Sequence, residues 1–332
     1  MLFELDADQR LWQDTVRTVT AKECSPALIR SIVDSGADSA PLWQVYVDLG
    51  WTELVAPESA VELAIVLEEL GRVTDPTPYL ATLTQFAPLA TGSVDPRQTG
   101  TAVFEGVTAR RDGAGWRLDG TAAHVLDGDR AERYAVVTGV GVFLVDAAKV
   151  RATRSPAFDP VLHLAEVDFS GVRLDAGERR DADIAGALHT ARTAMALTMV
   201  GACQRVLDMV LEHARVRKQF GAPIGSFQAV QHKAADMHVA IERARALSYF
   251  AAVTLAEHDS RARLASAMAK AAAGECQSLV FRSGLQLFGG MGFTWENDLQ
   301  FALKRAAAGE LMLGGADEHR ALIAEEYRAA DF

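Results

Sequence analysis

Arg215-Val216-Arg217-Lys218-Gln219-Phe220-Gly221-Ala222-Pro223-Ile224-Gly225, with Phe227-Gln228-Ala229-Val230-Gln231-His232 just after it, decides how this chain folds. The first stretch ends a long run of helical spacing and the second opens the next. The segment therefore sets cations at one helix C-terminus and backbone amides at the following N-terminus. Dipole complementarity and a plain helix–helix turn account for that much. The alternative is an anion and amide site for a phosphate-bearing cofactor, because a guanidinium grips a diphosphate bidentately and a glutamine pairs with a base or ribose. A second stretch, Gln286-Leu287-Phe288-Gly289-Gly290-Met291-Gly292-Phe293, also follows a long helical run. A C-cap explains one glycine there; Gly289, Gly290 and Gly292 together point to close approach by something bulky.

Working outward, the helical period holds from about Asp183 to the end, broken at Gly221–Gly225, at Phe288–Gly292 and at Gly314-Gly315. Four or five long helices are implied, and Ala265–Ala273 and Ala306–Ala308 are strongly helical in composition. From Asp6 to about Gly92 the spacing is helical too: Leu42, Val45, Tyr46 and Leu49 share a face before Gly50, and Leu63, Val66, Leu67 and Leu70 share one before Gly71. Between about Thr101 and Val172 short β-type runs take over, Trp116–Leu118, Tyr134–Val137, Val142–Val145 and Val167–Phe169, with turns such as Asp127-Gly128-Asp129. The expected class is α+β: an N-terminal helical domain over 1–98, a small β domain over 99–182 and a C-terminal helical bundle over 183–332.

The 332 residues are 49% hydrophobic and 23% charged, an ordinary globular composition with room for two or three structural units. A formal net charge of −11 argues against nucleic acid or an anionic membrane surface as the main partner. Small molecules and proteins are the expected partners. Cys24, Cys203 and Cys276 are far apart and lack metal spacing, as in a reduced cytoplasmic protein. The start MLFELDADQRLWQDTV reads as an acidic amphipathic helix without a targeting signal, and apolar stretches such as Ala191–Val200 fall short of the ~18 residues of a membrane span. No GxGxxG, P-loop or GxSxG elbow occurs. The histidines show no ligand spacing, so no metal is expected, and they read as surface or capping residues.

Arg217-Lys218-Gln219-Phe220-Gly221 with Gln228, Gln231, Asp236 and Met237 downstream, then Gln286–Phe293, resembles the acyl-CoA dehydrogenase family. Either motif is moderately specific; both in order across the helical spacer are strong. The resemblance extends through Trp43–Trp51 and Glu68-Glu69-Leu70-Gly71-Arg72 in the N-terminal helices, and through Trp116–Gly120, Tyr134–Val137 and Phe158-Asp159-Pro160 in the β domain. It implies FAD at a subunit interface, its ring against one subunit's β domain and its ADP end held by the neighbour's helices. Arg217, Phe220 and Gln228, then Gln286, Leu287, Phe288, Gly289 and Gly290, match the positions that hold the ADP end. The implied chemistry is α,β-dehydrogenation of an acyl-CoA, a carboxylate taking the α-proton while hydride leaves the β-carbon.

The resemblance breaks at that carboxylate. One family location falls on Leu313, before Gly314-Gly315, and the minority location falls on Ala191; neither accepts a proton. No acidic residue lies from Ile184 to Leu207, and Glu310 and Asp317 flank the first location as candidate displaced bases. The flavin-facing loop expected after Ala102-Val103-Phe104 is also short, Glu105-Gly106-Val107 running almost directly into the next strand. The sequence thus resembles the short, base-lacking subunit of actinobacterial α2β2 enzymes that act on CoA thioesters of steroid side chains. A full-length subunit would supply the Glu, with electron-transfer flavoprotein as the electron acceptor. The alternatives are a self-sufficient homotetramer with a displaced base, a purely structural module, and a flavin-dependent monooxygenase on the same fold.

Overall fold

The structure, a computed structural model, describes residues 5–92 and 94–329. In chain order come α1 (Ala7–Glu23), α2 (Pro26–Ser35), α3 (Ala40–Asp48), α4 (Ala60–Val73), α5 (Tyr79–Ala81), a π turn (Thr82–Phe86) and α6 (Ala87–Ala90). Nine strands follow: β1 (Gly100–Val103), β2 (Val107–Asp112), β3 (Gly115–Leu126), β4 (Arg133–Thr138), β5 (Gly141–Asp146), β6 (Arg151–Ser155), β7 (Leu164–Asp168), β8 (Val172–Leu174) and β9 (Arg179–Arg180). The rest is α7 (Ile184–Val216), a hairpin of β10 (Lys218–Gln219) and β11 (Ala222–Pro223), α8 (Gln228–Ala256), α9 (Ala262–Phe288), α10 (Leu299–Leu311) and α11 (Ala316–Ala329). This is the expected α+β arrangement of N-terminal helices, middle strands and C-terminal helices. The helix expected over MLFELDADQRLWQDTV includes Met1–Glu4, which lie outside the described residues; α1 itself opens on a capping box in which Asp6 accepts from Gln9 N at 2.8 Å.

Two compact units form, each from separated stretches. The first takes the chain to Ala37, Pro57–Asp75 and Arg192 onward; the second takes Asp38–Ala56 and Pro76–Ala191. In the first, α4 buries the expected Leu63, Val66, Leu67 and Leu70, and with them Glu68 and Glu69. The buried carboxylates are stable because each is paired: Glu68 accepts from Arg245 Nε at 2.8 Å and Tyr249 Oη at 3.0 Å, and Glu69 takes Arg17 bidentately at 2.7 and 3.2 Å. Gly71 does not end α4, as its place after the apolar face implied. It lies inside the helix, where a Cβ would strike the Thr198 carbonyl, while a Cβ at Gly201 would strike the Glu68 carbonyl. The two glycines let α4 and α7 cross backbone to backbone. Around that crossing Cys203, Val206, Met237, Ile241, Cys276 and Leu303 form the helical core.

The second unit packs two sheets face to face. One has the order β1-β4-β5-β9, with β1 parallel to β4; the other runs β2-β3-β7-β6, with β8 also on β3. Leu118, Tyr134, Val136, Phe143, Val167 and Phe169 fill the space between them. The outer face of the first sheet buries Ala135, Val142 and Leu144 against Phe86 and Leu89. One expectation needs amending. α7 is long and apolar enough, by length and composition, to cross a membrane, although 72% of its most apolar window is buried inside the structure, as befits a core helix.

Candidate functional site

The Arg217 segment, read as a turn, is a hairpin. Lys218 pairs with Pro223 and Gln219 with Ala222, leaving Phe220 and Gly221 at the tip with φ of +51° and +83°. Two consecutive positive φ values are the backbone of a tight, right-twisting hairpin turn, which glycine adopts freely and phenylalanine only under strain. Phe220 accepts that strain while 95% exposed, with only the edge of Phe227 against its ring at 6.2 Å between centroids. A strained, solvent-facing aromatic marks a surface prepared for something outside the fold.

The hairpin is anchored to the helix before it, since Arg217 N donates to His213 O at 2.8 Å and Ile224 N to Arg217 O at 2.8 Å. α8 then opens at Gln228 without a side-chain cap, leaving its first amides outward. The second glycine stretch caps α9 at Gly289, with φ +62°, and a Cβ at Gly289 or Gly290 would meet nothing within 4 Å. His213 joins the two stretches: its ring stacks on Phe288 at 4.5 Å and 13°. Burial and, second, the nearby Arg217 cation push the His213 pKa down, so a neutral ring is favoured in the stack. Arg217, Gln228 and Gln286 are exposed, and among the described residues their side chains make no hydrogen bond or ion pair. Leu287 and Phe288 are half-buried and pack against the helical core. Three donors, a strained aromatic and two bare glycines fit a bulky, anionic, base-bearing group such as the ADP end of FAD.

The turn after α10 is held from three sides. Lys270 is fully buried on α9 and donates to Gly314 O at 2.7 Å and to Glu310 O at 3.4 Å. His319 Nε2 donates to Leu313 O at 3.0 Å, and Glu310 Oε1 accepts from Ala316 N at 2.7 Å. Gly274, one turn beyond Lys270, gives room for Glu310 Oε2, which a Cβ there would strike. Glu310 Oε2 has no hydrogen-bond partner and meets Lys270 Nζ only at 3.8 Å. Burial, against the opposing pull of Glu310, lowers the Lys270 ammonium to about 8. So restrained, Leu313 adopts φ +58°. A side chain in that region of backbone space is costly, and such strain persists only where surroundings over-determine it. The second candidate position, Ala191, is a buried methyl on α7, 1% exposed. Asp317 is at the surface, its side chain 97% exposed, with Arg320 at 3.4 Å.

In the strand unit, β1 reaches β2 through Phe104, Glu105 and Gly106 alone. Gly106 and Gly120 have φ of +87° and +142°; a Cβ on Gly120 would strike the Gly106 carbonyl, and one on Gly106 would crowd the Thr121 carbonyl. The short connection is sealed onto β3 by backbone contact. Among the described residues no group of His, Cys, Asp or Glu side chains could hold a metal ion.

Sequence reasoning placed every histidine in one surface or capping class and so missed two. His213 was findable, lying one turn before Arg217 on the same helical face. His319 is 2% exposed and works through a carbonyl, which no spacing rule reports.

Residues 182–327 match the family described as acyl-CoA dehydrogenase, C-terminal domain. The acyl-CoA dehydrogenase IpdE2 of Mycolicibacterium smegmatis is 32% identical over 344 residues, spanning 97% of this chain and 100% of that protein. Among solved structures, a chain of the ChsE4-ChsE5 complex from Mycobacterium tuberculosis superposes with a TM-score of 0.90 at 26% identity, with 100% of both chains covered. A chain of the Tcur3481-Tcur3483 steroid ACAD superposes at 0.85 and 26% identity, over 97% of this chain and 98% of that one.

Proposed function

The chain belongs to the acyl-CoA dehydrogenase family, and from that premise we propose that it completes the FAD site of a heteromeric enzyme whose partner subunit supplies the catalytic carboxylate. The family is FAD-dependent. The observation that carries the reading is an asymmetry: Arg217, Phe220, Gln228 and Gln286 are exposed and unused within the chain, whereas the tightly held turn offers Leu313 where proton abstraction needs a carboxylate.

In this reading Arg217 grips the diphosphate, Gln228 and Gln286 pair with the polar rim of the ADP end, and Gly289 and Gly290 allow its close approach. When bound, the flavin takes the β-hydrogen of the thioester as hydride. The α-proton must go to a carboxylate beside the α-carbon, and the two acids weighed as displaced bases, Glu310 and Asp317, are placed for other roles. Glu310 closes the turn through Ala316 N, and Asp317 lies in solvent beside Arg320. The sealed β1–β2 connection favours a flavin ring cradled by the partner rather than by this chain. An α2β2 assembly with a full-length subunit carrying the Glu, reoxidised by electron-transfer flavoprotein in the cytoplasm, completes the proposal. The steroid ACAD among the structural relatives makes the CoA thioester of a steroid side chain the proposed substrate.

The test is cofactor content. Expressed alone, the chain should purify with little FAD; co-expressed with a full-length family member that carries the Glu, it should yield a yellow complex with one FAD per heterodimer. Stoichiometric FAD in the chain alone overturns the heteromeric reading and supports the homotetramer.

A further inference from the structure

A cleft of 330 Å³ opens between α1, α2, α4, α7 and the start of α10, at the lower end of the ~300–1,000 Å³ of small-ligand pockets. Its charged lining consists of Arg17, Glu69, Arg72, Arg205 and Asp298. Four of these five are matched. Glu69 takes Arg17 at 2.7 Å and Arg72 at 3.6 Å, Arg72 reaches Asp208 at 2.6 Å, and Asp298 takes Arg30 at 2.8 Å. Three cations thus face three carboxylates, and Arg205 is left over. It is half-buried on α7, and among the described residues it makes no hydrogen bond or ion pair. A partly desolvated guanidinium without a counter-ion is costly, and an anion entering the cleft would relieve that cost with a two-pronged contact.

The remaining wall decides what kind of anion. Ile29, Val73, Met209, Phe301 and Ala302 make it largely apolar, with Thr20 and Thr74 its two hydroxyl-bearing residues. A dianion would find only one uncompensated cation, and its second charge would confront the carboxylates of Glu69 and Asp298. A neutral molecule would leave Arg205 unpaired. We propose that the cleft is a binding site for an amphipathic monocarboxylate, its carboxylate on Arg205 and its hydrocarbon body along Ile29, Met209 and Phe301.

The experiment is calorimetric titration of the full chain with hexanoate, 1-hexanol and inorganic phosphate as probes. Hexanoate should bind with a dissociation constant of about 1 mM or tighter, and hexanol at least about tenfold more weakly. Arg205→Gln, which keeps the side chain's bulk, should weaken hexanoate about tenfold or more without moving hexanol. Ala21→Trp fills the cleft from the exposed face of α1 and should abolish both, with Arg205 intact; circular dichroism verifies that each variant is folded. Unchanged hexanoate affinity in Arg205→Gln, or no hexanoate binding at about 10 mM in the unaltered chain, overturns the site. Phosphate displacing hexanoate overturns the monocarboxylate class.

Discussion

Lys270 Nζ donates to the Gly314 carbonyl at 2.7 Å from a side chain with no solvent exposure, so the loop that presents Leu313 is fastened to the interior of α9. A turn this firmly held is one whose geometry is needed, and at its tip is a side chain without acid–base chemistry.

The first prediction concerns catalysis. With Glu310 serving as a cap and Asp317 in solvent, Glu310→Gln and Asp317→Asn should leave kcat of the proposed heteromeric complex within about twofold. Steady-state turnover with an external electron acceptor measures this. A loss of orders of magnitude, with flavin content and assembly unchanged, would make this chain catalytic in its own right.

Cofactor affinity gives the second. Arg217→Ala should lower FAD affinity of the proposed complex about ten- to a hundredfold, because the proposed bidentate charge-assisted contact would be lost, and Arg217→Lys should recover only part of it. Flavin absorbance after dialysis is the readout. Full occupancy of the Ala variant at micromolar protein would remove Arg217 from the site.

A packing cycle supplies the third. Gly274→Ala places a methyl against Glu310 Oε2 and should cost about 1–3 kcal/mol in urea denaturation of the full chain. Glu310→Ala forfeits the Ala316 cap at about 0.5–2 kcal/mol. The double variant should be more stable than the sum of the two losses, since the clash disappears with its partner. Strict additivity would show that the two residues do not meet.

The fourth prediction is a pH dependence. Burial first, then the Arg192 and Lys270 cations, lower the His319 pKa, against the Leu313 hydrogen bond and Glu318. The folded state thus binds this proton less readily than the unfolded chain. The stability that neutral His319 contributes is present above the unfolded value of 6.5 and is lost as pH falls below it toward the folded pKa. His319→Gln retains an N–H donor for Leu313 O but does not titrate. The stability advantage of the unaltered chain over this variant should therefore shrink between about pH 7 and pH 5, as read from denaturation midpoints. A constant difference across that range would refute the argument.

Much of the molecule was legible from residue order. Periodicity implied four or five long C-terminal helices and located the breaks after α7, α9 and α10, because those ends are written locally in glycines; the break between α8 and α9 at 257–261 carries no glycine and was not read. The Arg217 and Gln286 stretches stood out for the same reason, as did Leu313 and Ala191, because the lack of a carboxylate is a statement about residue identity alone. Other features depend on residues remote in the chain. Gly71 looked like a terminator and proved to be a crossing point, since only the approach of Thr198 reveals why a side chain is forbidden there. That Glu68 and Glu69 can be buried is settled only when Arg245, Tyr249 and Arg17 arrive from other helices to neutralise them. Local chemistry, meaning helix-breaking glycines and the presence or absence of an ionisable group, was determined by the sequence itself. Which charges are paired, which carbonyls Lys270 and His319 hold, and that Arg205 alone is left without a counter-ion in its cleft were decided by the tertiary structure, because pairing energies depend on distance and desolvation, and neither exists until the helices pack.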